Sequence, residues 1–328
     1  MLLPAMEINE RPKGVILMLK AGGERNPRSS ALASLVKVEQ VKWGARKRFA
    51  GTSGMSGMND SRGRFVWYEL VTADTESAKA FYASVVGWGT RAAAIGGSTY
   101  TLFTARDATV AGLMELPADA VKAGVPAQWI GYVGVDDVDV AAVRVKNLGG
   151  NIYIPPTDVR NVSRFSIISD PQKATLALIK RRQGGHEGSP IFRGLGNVGW
   201  RELLASGLET AFAFYSAVFG WQKSEAHTGS MGTYQQFSAG GETIGGMFAR
   251  PEMSPMSMWL YYFSVSNIEA AVKRVATGGG QIFYGPVAVP GGARIAHCMD
   301  PQGALFALID WHVCIAVACY SPGGIPHR

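Results

Sequence analysis

The sequence has little cysteine, little charge and no long apolar run. Its three cysteines, Cys298, Cys314 and Cys319, all lie near the C-terminal end and make no disulfide framework. No apolar run approaches the ~20 residues that a membrane-spanning helix needs, and the run at 15–19 is too short for a signal-peptide core. These absences argue against a disulfide-rich secreted protein and against membrane association, so we expect a cytoplasmic protein.

Charged residues make up 17% of the chain, below the ~25% that is usual for globular proteins, whereas hydrophobic residues make up 47%. This balance excludes a wholly disordered chain. A length of 328 residues is enough for two domains at roughly 100–200 residues per domain.

The net charge of +7 is concentrated in one segment. Residues 1–62 hold 11 of the 32 Lys and Arg residues but only 5 of the 25 Asp and Glu residues, so the remainder is almost neutral. A nucleic-acid-binding domain carries its basic residues on a folded face. We therefore expect no nucleic-acid partner and interpret 1–62 as a basic, flexible N-terminal tail.

Motifs for common cofactors are missing. The glycine doublets fit neither a dinucleotide fingerprint nor a P-loop. His297 and Cys298, followed by His312, Cys314 and Cys319, lack the C-x₂₋₄-C spacing of a zinc site. The sequence thus predicts no cofactor.

The main positive feature is an internal repeat. The segments 67–88 (WYELVTADTESAKAFYASVVGW) and 200–221 (WRELLASGLETAFAFYSAVFGW) are identical at 11 of 22 positions. Further pairs follow at an offset of 130: Trp129 with Trp259, Tyr132 with Tyr262, and Arg164 with Arg294. The chain therefore contains two homologous halves.

Each half divides again into two similar units. In the first unit an apolar strand pattern at 65–71 is followed by an amphipathic helix with Asp74 as N-cap and Gly87 as C-cap. A second strand and helix begin near Trp129, and short strands follow each helix, whereas 90–98 and 222–233 resemble loops. We predict an α+β fold of four βαβββ modules.

These boundaries divide the chain into five segments. They are an N-terminal tail at 1–62, a first domain at 63–180, a Gly-rich linker at 181–196, a second domain at 197–310, and a C-terminal tail at 311–328.

The pattern resembles the vicinal oxygen chelate superfamily, which includes glyoxalase I, extradiol dioxygenases and bleomycin-resistance proteins. Two motifs carry the resemblance in both halves. They are the FY…GW helix ends (Phe81, Tyr82, Gly87, Trp88; Phe214, Tyr215, Gly220, Trp221) and the GG-to-DP spacing (149–171; 279–301). The resemblance implies that the four modules pair into two cup-shaped domains with ligands inside the cups.

The resemblance also implies where metal ligands would stand in the enzymes of the superfamily. In this chain those positions hold Trp67, Gly112, Ile130 and Ala177 in the first half, and Trp200, Gly246, Leu260 and Ala307 in the second. None of these side chains can donate to a divalent ion. We therefore predict no metal site.

The repeated glutamates Glu69 and Glu202 are the candidate catalytic residues. Because strand side chains alternate, they share a face with Trp67 and Trp200, so all four are candidates for ligand contact in the cups. A carboxylate in an apolar cup could act as a general base or bind a cation. Alternatively, it bonds the neighbouring module's backbone or pairs with an arginine.

The other candidates for ligand contact also repeat between the halves. Arg164 and Arg294 precede a strand near the end of each half, and could bind an anionic substrate, although we expect them to pair with Glu69 and Glu202. The remaining candidates suit an apolar pocket wall with a few hydroxyls: Tyr100, Met114, Tyr234 and Phe248.

From this pattern we expect metal-independent binding or sequestration of a small aromatic or heterocyclic compound. The alternative is a glyoxalase-, dioxygenase- or hydroxylase-like enzyme that uses a metal site in another register or Glu69 or Glu202 as base. A protein-interaction role has no specific sequence feature in its favour. The ligand's identity and the oligomeric state stay open.

Overall fold

The structure, a computed structural model, describes residues 61–95, 98–159, 162–181, 194–229, 232–251, 254 and 256–311. Nearly all of the predicted N-terminal tail, most of the linker and the C-terminal tail beyond Trp311 lie outside the described residues. His312, Cys314 and Cys319 lie there too.

Each half forms one eight-stranded sheet. The strands of the first are β1 (Phe65–Thr72), β2 (Gly89–Ile95), β3 (Ser98–Ala105), β4 (Ala108–Glu115), β5 (Gln128–Gly134), β6 (Asn151–Val159), β7 (Ser163–Ser169) and β8 (Thr175–Arg181). The strands of the second are β9 (Val198–Ala205), β10 (Gln222–Gly229), β11 (Gly232–Ala239), β12 (Glu242–Ala249), β13 (Met258–Ser264), β14 (Gln281–Ala288), β15 (Arg294–Met299) and β16 (Leu305–Asp310).

The strand order is the same in both sheets. In the first it runs β2-β3-β4-β1-β5-β8-β7-β6, and in the second β10-β11-β12-β9-β13-β16-β15-β14. The first strands of the two modules, β1 and β5, pair antiparallel at the centre, and β9 pairs with β13 in the same way. The predicted α+β class, with four βαβββ modules in two cup-shaped domains, is confirmed.

In the part of the chain that the structure describes, four longer helices and one short helix accompany the strands. They are α1 (Thr75–Val86), α2 (Ala118–Lys122), α3 (Val138–Asn147), α4 (Leu208–Phe219) and α5 (Ile268–Thr277). The predicted caps of α1 are present: the Asp74 carboxylate accepts a hydrogen bond from the Ser77 backbone N–H, and Gly87 adopts a φ of 84°.

The sequence suggested loops at 90–98 and 222–233. The structure shows that these segments belong largely to β2, β10 and their neighbouring strands. Both β2 and β10 are edge strands, and β10 is exposed along nearly its whole length. An edge strand that buries neither face has no need of alternating apolar residues, and the sequence pattern is correspondingly weak.

The four longer helices lie between the two sheets. The helix-covered face of each sheet is here called the helix face. The two helix faces pack against each other in one central core that includes residues of both halves. Rings from the two halves meet there: Phe263 of β13 lies 4.8 Å from Trp88 and 4.9 Å from Trp129, between ring centroids. The core leaves the opposite faces of both sheets free of these helices.

Two matching hydrogen bonds cross this core. Tyr82 of α1 donates to Asp300 of the second half at 3.1 Å, and Tyr215 of α4 donates to Asp170 of the first half at 3.0 Å. Each tyrosine oxygen also accepts an indole N–H from its own half, from Trp129 and Trp259 respectively. The Asp-Pro turns predicted at 170 and 300 therefore also join the halves.

No helix in the described part of the chain is long and apolar enough to cross a membrane.

The first prediction concerns Tyr82, which is fully buried. Substitution Tyr82→Phe leaves the Asp300 carboxylate and the Trp129 indole N–H each without this partner, so the free energy of unfolding should fall by about 1–3 kcal/mol. Urea unfolding measures the change. The control is Tyr153→Phe, a buried tyrosine with no hydroxyl partner among the described residues, which should change stability by less than about 0.5 kcal/mol. Equal effects would contradict the role of the Tyr82 hydroxyl.

Candidate ligand-binding site

The faces opposite the helices carry most of the candidate residues. The first cup face is the side of the first sheet that bears Trp67, Glu69, Ile130, Tyr132, Ile167 and Ala177. The second cup face is the side of the second sheet that bears Trp200, Glu202, Leu260, Tyr262, His297 and Ala307.

Glu69 lies buried at the centre of the first cup face, where strand alternation places it beside Trp67. Its Oε1 accepts a hydrogen bond from the Tyr100 hydroxyl at 2.8 Å, and its Oε2 accepts one from Tyr132 at 2.7 Å. Burial raises the pKa of Glu69, and the two tyrosine hydrogen bonds oppose that rise. The carboxylate thus bonds tyrosine side chains from both modules rather than a backbone group or an arginine.

Trp67 is fixed by the same network, because its Nε1–H donates to the Tyr100 oxygen at 3.1 Å. The Tyr100 ring lies over Gly112, where a Cβ atom would come within 1.8 Å of the tyrosine oxygen. With Tyr100 in this position, only glycine fits at position 112. The hydroxyl of Tyr100 occupies the space that a side chain at this position would need.

The second cup face repeats this arrangement. Tyr262 donates a short hydrogen bond to Glu202 Oε2, Tyr234 also bonds Glu202, and the Trp200 Nε1–H donates to Tyr234 at 2.7 Å. A Cβ at Gly246 would lie 2.1 Å from the Tyr234 oxygen. Burial raises the pKa of Glu202 to about 6, against the opposing hydrogen bonds of the tyrosines.

His297 adds a group that has no equivalent on the first cup face. Its Nε2 lies 2.8 Å from the Tyr262 oxygen, and its ring packs edge-on against Tyr262. The residue at the matching place of the repeat is Ile167. Burial lowers the pKa of His297 to about 4, so its imidazole is neutral at physiological pH.

The expected pairing of the two arginines with the glutamates is wrong. Arg164 binds Asp139 of α3 through two hydrogen bonds of 2.7 and 2.8 Å, and Arg294 binds Glu269 of α5. Because β7 alternates, Arg164 projects to the helix face while its neighbour Phe165 packs on the first cup face. The arginines accordingly lie on the side of the sheet opposite Glu69 and Glu202.

The other candidates lie on the cup faces. Met114 packs against the cluster on the first, and Phe248 lies beside Tyr234 on the second with 6.0 Å between ring centroids. Three residues of the networks were missed as site residues: Tyr132, Tyr262 and His297. The repeat had paired the two tyrosines, and alternation from Ile130 and Leu260 would have placed them on the cup faces.

The residues present do not fit a metal ion of the superfamily. The eight positions named from the resemblance hold side chains that cannot coordinate, and the Tyr100 and Tyr234 hydroxyls fill the space over two of them. Within the described ranges, no three His, Cys, Asp or Glu side chains cluster as a metal site would require. His297 and Cys298 lie on opposite faces of β15, so they cannot bind one zinc ion.

Four βαβββ modules paired into two sheets with a cup face each define a class of two-domain proteins, and comparison with known families assigns the chain to it. Residues 64–178 and 197–308 match the family model described as the Glyoxalase/Bleomycin resistance protein/Dioxygenase superfamily. The chain belongs to this superfamily, as the resemblance implied.

Curated relatives match over nearly their whole length. A candidate glyoxylase, CFP32 of Mycobacterium tuberculosis (strain CDC 1551 / Oshkosh), is 33% identical over 245 residues, which is 74% of this chain and 93% of the relative. The anthracycline biosynthesis protein DauV of Streptomyces sp. (strain C5) is 30% identical over 263 residues, covering 74% of this chain and 92% of the relative.

Solved structures share the fold at low identity. The Mn(II)-bound glyoxalase from Novosphingobium aromaticivorans aligns with a TM-score of 0.53 and 14% identity, over 76% of this chain and 82% of that one. The 2,3-dioxygenase LapB from Pseudomonas sp. KL28 aligns with a TM-score of 0.52 and 13% identity, over 75% and 91%.

The second prediction follows from the raised pKa of Glu202. Between about pH 4.5 and 6 the folded chain binds more protons at Glu202 than the unfolded chain, so this residue makes stability fall as pH rises. Glu202→Gln removes that contribution. Relative to wild type, the variant's free energy of unfolding should rise by about 2 kcal/mol between pH 4.5 and pH 7.

Urea unfolding at several pH values gives this difference. The control is Gln222→Asn, an exposed substitution on β10 that adds and removes no titratable group and should leave the difference from wild type constant. A flat difference for the Glu202 variant would show that this carboxyl ionises normally.

Proposed function

We propose that this protein binds or sequesters a small molecule with a flat aromatic or heterocyclic body on a cup face, without the help of a metal ion. The observation that carries the proposal is the replacement of coordinating side chains by an aromatic and carboxylate network. Trp67, Tyr100 and Glu69 form it in the first half, and the second half repeats it.

The tryptophans of the network suit stacking against a planar ligand. Trp67 and Trp200 are partly exposed, and the hydrogen bond from each indole N–H to a tyrosine fixes the orientation of the ring. A ring held in place loses little freedom when a flat ligand stacks on it. The apolar side chains of Met114 and Phe248 extend these surfaces on the neighbouring strand.

The name of one relative agrees with this class of ligand. DauV is named as an anthracycline biosynthesis protein, and anthracyclines have a flat, polycyclic aromatic body. This likeness supports a planar aromatic ligand for the present chain and makes an anthracycline a suitable first probe.

A second candidate function is proton-transfer catalysis by Glu202. It is favoured by the pKa of about 6, which lets this carboxyl exchange a proton near neutral pH. Under this hypothesis, Glu202→Gln keeps ligand binding but abolishes turnover of a substrate such as the hemithioacetal of methylglyoxal and a thiol. Absence of turnover in wild type would remove this candidate and leave binding.

The third prediction tests binding. Titration of the protein with an anthracycline should quench tryptophan fluorescence. If the first cup face is occupied, Trp67→Phe should weaken binding roughly tenfold, because phenylalanine offers a smaller stacking surface. If the second is occupied, Trp200→Phe should have this effect. The control is Phe212→Leu, an aromatic residue of α4 on the helix side of the sheet, which should bind as wild type does.

Prior treatment with EDTA tests the metal-free part of the proposal. The affinity should not change. Loss of binding after EDTA and its return with one divalent ion would contradict metal-independent binding, and failure of a wider panel of flat aromatic compounds would contradict the proposed ligand class.

A further inference from the structure

The two cup faces differ at their rims. At equivalent places of the repeat, Tyr153 and Ile154 of β6 are 6% and 2% exposed, whereas Phe283 and Tyr284 of β14 are 50% and 43% exposed. Two adjacent large aromatic side chains that are exposed to this extent form a contiguous apolar patch, whereas the equivalent pair in the first half is buried. The second rim is therefore open and apolar, and the first is closed.

The first rim is closed by a segment of its own half. Leu116, Ala120 of the short helix α2, and Val125 pack in the same cluster as Tyr153 and Ile154. The described residues between β12 and β13, at the matching place in the second half, form no helix. Among the residues that the structure describes, this helical cover is found over the first cup face.

The second cup face also carries the polar group that the first lacks. Ile167 of β7 contributes only hydrocarbon, whereas His297 of β15 bonds Tyr262 and lies 5.4 Å from the Tyr284 ring at the open rim. The histidine ring is partly exposed. It therefore connects the buried Glu202–Tyr262 pair to the exposed aromatic rim.

The hydrogen-bond chain determines which ring nitrogen of His297 carries the proton. With Glu202 ionised, Tyr262 must donate its single O–H to the carboxylate, so its oxygen can only accept from His297 Nε2–H. In a neutral imidazole the other nitrogen, Nδ1, is then a hydrogen-bond acceptor. Among the described residues Nδ1 has no partner.

We propose that the ligand occupies the second cup face alone and presents a hydroxyl group, phenolic or enolic, to Nδ1 of His297. Its flat body lies between Trp200 and the Tyr284 rim, and the chain of Glu202, Tyr262 and His297 recognises the hydroxyl proton. This inference rests on the proposed function and narrows it to hydroxylated aromatic compounds and to one of the two cup faces.

The experiment compares two probes that differ only in the hydroxyl proton, 2-naphthol and 2-methoxynaphthalene. Calorimetry at about pH 7.5 should show one 2-naphthol bound per chain and a preference for it over the ether of about tenfold, the value of one hydrogen bond. His297→Ile introduces the residue that stands at the matching position 167 of the first half. In this variant the two probes should bind with about equal affinity.

The matched control is Ile167→Val on the first cup face, which should keep both the stoichiometry and the preference of wild type. Both variants are compared with wild type by their unfolding midpoints, so that a folding defect in His297→Ile is recognised. In that case His297→Phe replaces it, since its ring keeps the packing against Tyr262 and Tyr284 but carries no nitrogen acceptor.

A change of pH separates recognition from a structural role. The titratable groups that face His297 are Tyr262 and Tyr284 and, through Tyr262, Glu202 and Tyr234. At about pH 5 Glu202 is protonated, so its O–H donates a hydrogen bond to the Tyr262 oxygen. The Tyr262 hydroxyl then donates to Nε2 of His297, and the N–H of the neutral imidazole is at Nδ1. The preference for 2-naphthol over the ether should then disappear, because both oxygens accept equally.

Three results would overturn the inference: two molecules bound per chain, an unchanged preference in the His297 variants, or a preference that is constant with pH. If neither naphthalene binds while an anthracycline does, the hydroxyl-recognition inference fails and the proposed function stands. If no flat aromatic compound binds, the proposed function fails as well.

Discussion

Both sheets bury their helix faces against each other, and the position of every other feature depends on this shared aromatic core. The core contains rings from both halves, and the two tyrosine–aspartate hydrogen bonds cross it in opposite directions. Burying large aromatic side chains contributes on the order of 2 kcal/mol each, so the contacts between the halves help to hold the helices of both in place. Because the helices lie in the interior, the opposite faces of the sheets are directed away from the shared core.

The centre of each outward face is held by a carboxylate, which is costly to bury unless it is bonded. Here tyrosine hydroxyls supply the bonds, two for Glu69 and two for Glu202. The same hydroxyls require glycine at positions 112 and 246 on the neighbouring strand. A coordinating side chain at those positions would collide with the tyrosines, so the hydrogen-bond network and a metal site of the superfamily type exclude each other.

The repeat, the module order and the helix caps could be predicted because each leaves a local pattern: identical residues at a constant offset, apolar periodicity, and an N-cap with a C-cap glycine. Strands β2 and β10 could not, because they are edge strands without an alternation of large apolar and polar residues. For the site, alternation placed Glu69 and Glu202 beside the tryptophans. The partners of Arg164 and Arg294 depend on which face of β7 and β15 each arginine occupies, and the bulges of the neighbouring strands β6 and β14 leave no pattern in the sequence from which that face follows.

His297 shows how a duplicated fold acquires different properties in its two halves. A repeat search emphasises what the halves share, and Ile167 and His297 differ, so this method gives no signal there. In the structure His297 bonds Tyr262, a tyrosine that both halves share, and so adds a further polar group to the carboxylate network of the second half. The half with the extra polar group is also the half with the open rim, whereas the other has its rim covered by α2. Because the central core is built on the helix faces, the two cup faces can differ in this way while the packing between the halves stays the same.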